Sequence, residues 1–440
     1  MKKRSGKWLI CGVLALAMAA GIAAYFLWGR PQTTASDESQ GTGFRPALDA
    51  QTECSITVAG HYDNFEALEA EFNLFSQYYP KVEMKYVKLD NYKGAIGTAV
   101  NSEEAPDIYF VFPSMTTGSP EFQPVLDAAE NLADEKLGLD LSCVRSGILF
   151  KDAAGKVPYV PIYSETFGMM VNEDIFEKEK IAIPKTYGQL LTACEALKKA
   201  GYAGPVLGYA KDNFMIYPLY YPYFCAQIQN SEKAVSELNA LEKPAGEYMR
   251  STLELVADFM GHGYVDLEEC GKLEKDYEPV ILRFFEGDVP MMMAKAGTVS
   301  GTQKREGKSE AFTAHPFKYS FRPVPSTEEG GYFLETVSMG FAVNKNSKNL
   351  SMANEFMRFL VRAEELNRMA HAKRMVTTSN DMSMDAVYAA FGELDVKRMI
   401  NTAELGLKEA PDRQVRLAVD KILSGSMTVD EAVEAFGTLE

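Results

Sequence analysis

Apolar positions recur with regular spacing from residue 54 onward. CSITVAG (54–60) predicts a short buried strand. In HYDNFEALEAEFNLFSQYYP, Phe65, Leu68, Phe72, Phe75 and Tyr79 repeat at three and four, which predicts one face of a helix. Asp63 or Asn64 is placed to cap that helix, Glu66 and Glu69 suit its positive end, and Pro80 stops it. KVEMKYVKL alternates as a strand, and Tyr92–Asn101 predicts a second helix. PDIYFVF (106–112) is a nearly all-apolar run, as expected of a strand covered on both faces. Strand, helix, strand, helix, strand predicts an α/β fold with a parallel sheet and right-handed crossovers.

Further along, ILFKDAAGKVPYVPI (148–162) predicts a hairpin turning at Ala153–Lys156, and ETFGMMVN (165–172) another strand. IPKTYGQLLTACEALKKAG carries a Thr186…Gln189 capping box, an apolar face through Leu190, Cys194 and Leu197, and a Gly201 stop. STLELVADFMGHG, EPVILRFFEGD and SMANEFMRFLVRAEELNRM predict amphipathic helices, and ETVSMGFAVNKNS returns to strand. No tandem repeat of the solenoid kind is visible.

The first 53 residues break this pattern. Residues 1–7 are basic, and residues 8–28 form 21 positions without a charge, flanked by Trp8 and Trp28. At about 1.5 Å per residue that run matches a hydrocarbon core of roughly 30 Å, so it predicts one N-terminal transmembrane helix. The preceding Lys and Arg residues put the N-terminus in the cytoplasm. A cleaved signal segment is the rival reading, although Ala17-Met18-Ala19 falls inside the run rather than after it. Under either reading the chain beyond residue 30 lies outside the cytoplasm, anchored at the plasma membrane or secreted. Residues 29–53 are polar and read as a flexible tether.

Charge narrows the classes of partner. Of 45 basic residues, five precede residue 31, where no acidic residue occurs, so the exported part carries 61 acidic residues and a net charge of −21. That balance argues against nucleic acid. Cys54, Cys143, Cys194, Cys225 and Cys270 lack the short paired spacings of a zinc site and leave room for one disulfide that the spacing does not identify. No metal site and no cofactor are expected.

Several segments in order resemble the carbohydrate-type extracellular solute-binding proteins of ABC importers, the branch related to maltose-binding protein. They are ITVAGHYDNFEALEAEFNLFSQYYPKVEMKYV followed by APDIYFV; KVPYVPIYSETFGMMVNEDIFEKEKIAIPKTYGQLLTACEALKKAGY; FFEGDVPMMM; MGFAVNKNSKNLSMANEFMRFL; and LSGSMTVDEAVEAF. Together they span residues 54–438. The resemblance implies a two-lobed periplasmic-binding-protein-like fold of type II, with a hinge and an interlobe ligand cleft. One lobe is expected at 54–161 and 320–370, the other at 164–317 and 371–440. It implies a monomer that captures a small solute, a sugar or oligosaccharide, and delivers it to the transmembrane subunits of an ABC permease. The family's cleft Trp residues have no counterpart here, and Cys11 lacks the preceding apolar run of a lipidation site.

The same resemblance directs attention to particular residues. NFMIYPLYYPYF (213–224) holds six aromatic rings, and Phe214 and Tyr217 stand closest to the family's sugar-stacking positions. About half of the six are expected in the core. His61, Tyr62 and Asp63 follow the first strand; Phe112 and Ser114 follow the third. Glu165, with Tyr163 beside it, matches a carboxylate that faces ligand and accepts two hydroxyls. Lys295 and Thr298 lie in MMMAKAGT (291–298), expected to end a strand at the cleft, and Tyr332 and Glu335 lie in GGYFLETVS (330–338), expected to border it.

Three other functions share some features. A glycoside hydrolase needs two facing carboxylates, and no order of motifs marks such a pair. A ferric-ion binding protein would use Tyr220, Tyr221 and His61. A ligand sensor for a membrane signalling protein is compatible with an uncleaved anchor.

Overall fold

A computed structural model describes residues 43–440, apart from residues 117, 153, 210–214 and 274–277. The basic segment, the apolar run, Cys11, most of the tether and Phe214 lie outside the described residues. Among the described residues no helix is long and apolar enough to cross a membrane. The last part of the expected tether is held against the folded body. The Ala47 amide donates to Glu355 at 2.8 Å and the Leu48 amide to the Tyr79 hydroxyl at 3.2 Å.

Strands and helices alternate at first as the pattern dictates. They are β1 (Cys54–Gly60), α1 (Glu66–Phe75), β2 (Val82–Lys88), α2 (Tyr92–Ala99) and β3 (Ile108–Val111). β1 pairs in parallel with both β2 and β3. Leu68, Phe72 and Phe75 bury one face of α1, and all four residues of β3 are buried. The start of α1 differs from expectation. Its cap position is Phe65, without a side-chain cap, because Asp63 pairs with Lys88 at 2.8 Å instead.

The predicted hairpin at 148–162 forms only its turn. The Asp152 amide donates to the Lys156 carbonyl at 3.0 Å, but the flanking arms do not pair with each other. Pro158 and Pro161 carry no amide hydrogen for a ladder. The second arm instead becomes β4 (Val160–Glu165), whose partner is the distant β9 (Phe333–Val343).

After a one-residue connector, Thr166, the chain enters β5 (Phe167–Asn172) of a second sheet. Then come α3 (Tyr187–Lys199), β6 (Val206–Leu207), α4 (Tyr217–Ile228), α5 (Arg250–Gly261), β7 (Met291–Lys295), α6 (Ala296–Ser300), α7 (Thr302–Glu306) and β8 (Tyr319–Arg322). Thr186 caps α3 by accepting from the Gln189 amide at 3.3 Å, while Gln189 reaches back one residue further, to the Lys185 amide at 2.9 Å. Leu190, Cys194 and Leu197 form the buried face of α3, as their spacing predicts.

β9 then returns to the first sheet. It is followed by α8 (Leu350–Leu360), α9 (Ala363–Lys373), β10 (Val376–Thr377), β11 (Met399–Asn401), α10 (Glu409–Leu423) and α11 (Val429–Glu434). The first sheet has the order β10-β4-β9-β3-β1-β2, with β11 paired to the start of β9; the second has the order β6-β7-β5-β8. β8 pairs with β5, so residues 320–322 join the second sheet, and β10 pairs with β4, so residues 376–377 join the first. Cys54, Cys143, Cys194, Cys225 and Cys270 are all free thiols, so the expected disulfide does not form.

Candidate functional site

Parallel pairing of β1 with β3 sets their carboxyl ends side by side, where a ligand crevice forms in sheets of this kind. Gly60 ends β1 against a floor of rings. A Cβ there would meet Phe110 at 2.4 Å and the Tyr86 hydroxyl at 2.6 Å, so no larger residue fits without displacing that floor. The chain then turns outward through His61 and Tyr62. The His61 ring lies 4.1 Å from that of Tyr62 and 5.3 Å from that of Phe112, centroid to centroid. Tyr62 is fixed at both ends. Its amide donates to the Tyr86 hydroxyl at 2.9 Å, and its own hydroxyl donates to the Met339 sulfur at 3.7 Å.

Two lysines from other elements complete this surface. Lys373, at the end of α9, holds its ammonium 4.8 Å from the Tyr62 ring centre and 5.4 Å from that of Phe65. Lys93, from α2, sits 5.7 Å from the Phe112 ring centre and donates to the Ser114 hydroxyl at 3.0 Å. Packing among the rings, then Lys373, then Lys93 lower the pKa of His61, which keeps its imidazole neutral. Burial and the nearby Lys304 lower that of Lys373.

The second sheet faces this surface through the segment after β7. The Gly297 amide, in the first turn of α6, donates to Glu165 Oε1 at 2.7 Å, and the Ala296 amide donates to the Thr166 carbonyl at 2.9 Å. Glu165 therefore binds the end of β4 to the start of α6. A groove of about 410 Å³ runs between the Tyr62–Ala67 stretch, the end of α9, and α6 with α7. Lys304 crosses it to Glu66 at 3.1 Å.

The expected site residues divide into three groups. His61, Tyr62, Phe112 and Ser114 come together at the ends of β1 and β3, with Asp63 at the rim on Lys88. Glu165 and Lys295 stand at the junction with the second sheet, where Lys295 occupies the cap position of α6. Tyr217, at the start of α4, is partly buried, edge-on to Phe167 at 5.0 Å and stacked on Tyr221 at 4.6 Å.

Four other expected site residues are held by packing or by neighbouring side chains. Tyr163 is wholly buried, with its hydroxyl donating to the Met369 carbonyl at 3.3 Å. Thr298 is wholly buried, and its hydroxyl has no partner among the described residues. Glu335 is buried beneath Arg145, whose Nε lies 2.9 Å and 3.1 Å from its two oxygens. The Tyr332 ring is covered by Arg398 at 4.8 Å. The aromatic block resolves similarly: Tyr220, Tyr221 and Phe224 are core, which leaves Tyr220 and Tyr221 inside the second sheet's packing rather than beside His61. Among the described residues no group of His, Cys, Asp and Glu is arranged to hold a metal ion.

Lys93 and Lys373 were not anticipated. Neither belongs to a motif, and only the tertiary fold sets them above rings.

Comparison with known proteins bears on the family and the fold. The family described as bacterial extracellular solute-binding protein matches residues 59–366. No curated relative matches the sequence. Among solved structures, apo RafE from Streptococcus pneumoniae aligns with a TM-score of 0.66 at 17% identity, covering 89% of this chain and 98% of its own. The sugar-binding protein MalE from Xanthomonas citri aligns with a TM-score of 0.65 at 16% identity, covering 87% and 95%. A sugar transporter from Bacillus licheniformis, solved with stachyose, aligns with a TM-score of 0.57 at 14% identity, covering 88% and 100%.

Proposed function

The chain belongs to the bacterial extracellular solute-binding protein family, and we propose that it captures a saccharide and delivers it to an ABC permease. The observation that carries the saccharide is the surface at the ends of β1 and β3. Tyr62 and Phe112 offer ring faces, while His61 and Ser114 offer polar heads at their edges. A ring gives a flat apolar face to the C–H side of a pyranose, and the polar heads orient its hydroxyls. Structural relatives solved with raffinose and with stachyose support the same ligand class.

In this reading each sheet is the centre of a lobe, and the groove is the cleft between them. Closure brings the α6–α7 segment toward His61 and Tyr62, with Thr166 and the β8–β9 connection taking up the rotation. Capture and release need no covalent step, so the protein works as a receptor rather than an enzyme. The uncharged N-terminal run supports residence at the outer face of the plasma membrane.

The test is thermal unfolding of the full-length protein against a panel of mono- and oligosaccharides. A ligand that binds only the folded state, at 100 times its dissociation constant, adds about 2.7 kcal/mol. The expected result is a shift with a subset of saccharides that Tyr62→Ala abolishes. An unmoved midpoint across the panel would sink the reading.

A further inference from the structure

The electrostatics of the groove run against those of the chain. The protein carries 61 acidic and 45 basic residues, so a lysine has acidic partners in excess. Most cations around the junction of the two sheets have taken one. Lys304 pairs with Glu66, Lys88 with Asp63 and Asp90, Arg374 with Glu306, and Arg145 with Glu335. Lys373 and Lys93 have not. Among the described residues neither forms a salt bridge: Lys373 lies over the rings of Tyr62 and Phe65, where the carboxylate that acts on it, Glu66, is already paired with Lys304, and Lys93 meets the neutral Ser114 hydroxyl and the Phe112 ring.

These groups form one continuous series: Lys373, Tyr62, His61, Phe112, Lys93. A ring face stabilises a cation by only about 0.5–2 kcal/mol, which does not replace a counterion for the partly buried Lys373 ammonium, while the exposed Lys93 adds its charge at the far side of His61. A ligand that brings negative charge would regain that energy on binding. We propose that the solute is an acidic saccharide whose anionic substituent, a carboxylate or a sulfate ester, seats at His61 between Lys373 and Lys93, with its sugar face on Tyr62 or Phe112. The proposal rests on the saccharide reading above and narrows it.

Two features limit the charge to one. Asp63 and Glu66 line the same groove, and they would repel a dianion such as a phosphate monoester. Burial, and then the same two lysines, lower the pKa of His61, so it contributes a hydrogen-bond donor rather than a third cation.

Isothermal titration of the full-length protein separates the possibilities. The probes are trigalacturonate, its fully methyl-esterified form, a sulfated disaccharide and the unsulfated parent. The acid or the sulfate is expected to bind at least about tenfold tighter than its neutral match, with affinity falling as salt rises. The arm that shows the difference identifies the substituent. Lys373→Met and Lys93→Met should each weaken the charged probe about tenfold more than its neutral match, with Lys373→Arg restoring the difference. Equal binding of each charged probe and its neutral match overturns the acidic-solute inference and leaves the saccharide reading standing. Failure of every neutral and charged saccharide to bind overturns both. The wild-type comparison decides the matter even if a lysine variant does not fold.

Discussion

Arg145 and Lys373 are both cations near the junction of the two sheets, and they are treated in opposite ways. Arg145 is saturated: its guanidinium meets both oxygens of Glu335, the Ser164 hydroxyl, and the carbonyls of Thr377 and Ser379. Ser164 also donates to Glu335 at 2.7 Å, so the ion pair sits inside a closed polar network. Lys373 lies over aromatic faces without a salt bridge among the described residues, and the carboxylate that acts on it, Glu66, is held by Lys304. A charge whose every donor is occupied holds the fold together and has nothing left for a ligand. A charge left above π faces is weakly held and open to exchange. The carboxylate of Glu335 looked like a site residue in sequence, and the structure makes it a fastener.

This contrast can be tested by removing each side. Glu335→Ala leaves the Arg145 guanidinium buried without its carboxylate and should cost about 3–5 kcal/mol. Urea unfolding would show it, and a loss below about 1 kcal/mol would mean the network is not structural. Lys373→Met in the same assay should stay within about 1 kcal/mol of wild type, because it removes only the ring contacts.

Glu71 sharpens the comparison from the acidic side. It is fully buried, pairs with Arg368 at 2.9 Å, and has a second oxygen without a partner among the described residues. Burial, only partly offset by Arg368, raises its pKa from 4.5 to about 7. The folded state therefore binds this proton more tightly than the unfolded chain does. Its contribution to stability is fully present below pH 4.5 and is lost as pH rises through about 7. Glu71→Gln should be more stable than wild type by up to about 3 kcal/mol at pH 8, with the gap closing toward pH 4.5. A gap that is constant with pH would assign the effect to packing instead.

The smallest effect should come from Lys304 and Glu66. Both side chains are 53% exposed, so the pair should contribute no more than about 1 kcal/mol and fade in high salt. A double-mutant cycle measured at two ionic strengths checks this. A coupling that salt does not change would mean that the groove shields the pair.

Much of the fold was legible because it is local. The start of α3 shows in Thr186 and its buried face in Leu190, Cys194 and Leu197. What was misread depended on distant partners. VPYVPI resembles a hairpin arm, yet the strand it pairs with lies some 180 residues away. Half the candidate surface was legible, since His61, Tyr62, Phe112 and Ser114 lie at the ends of strands whose type is plain from composition. Lys93 and Lys373 carry no local mark. Their importance arises from what their neighbours fail to supply, and that is a property of three dimensions.

The pairing of β3 with β9 also sets a clock. β3 ends at Val111, and its antiparallel neighbour is complete only at Val343, roughly 230 residues later. At synthesis rates of about 5–20 residues per second, that edge of four apolar residues waits on the order of 10–50 s for its partner. The first sheet cannot close until Val343 has emerged, so the nascent protein stays open through most of its synthesis, while export is still under way.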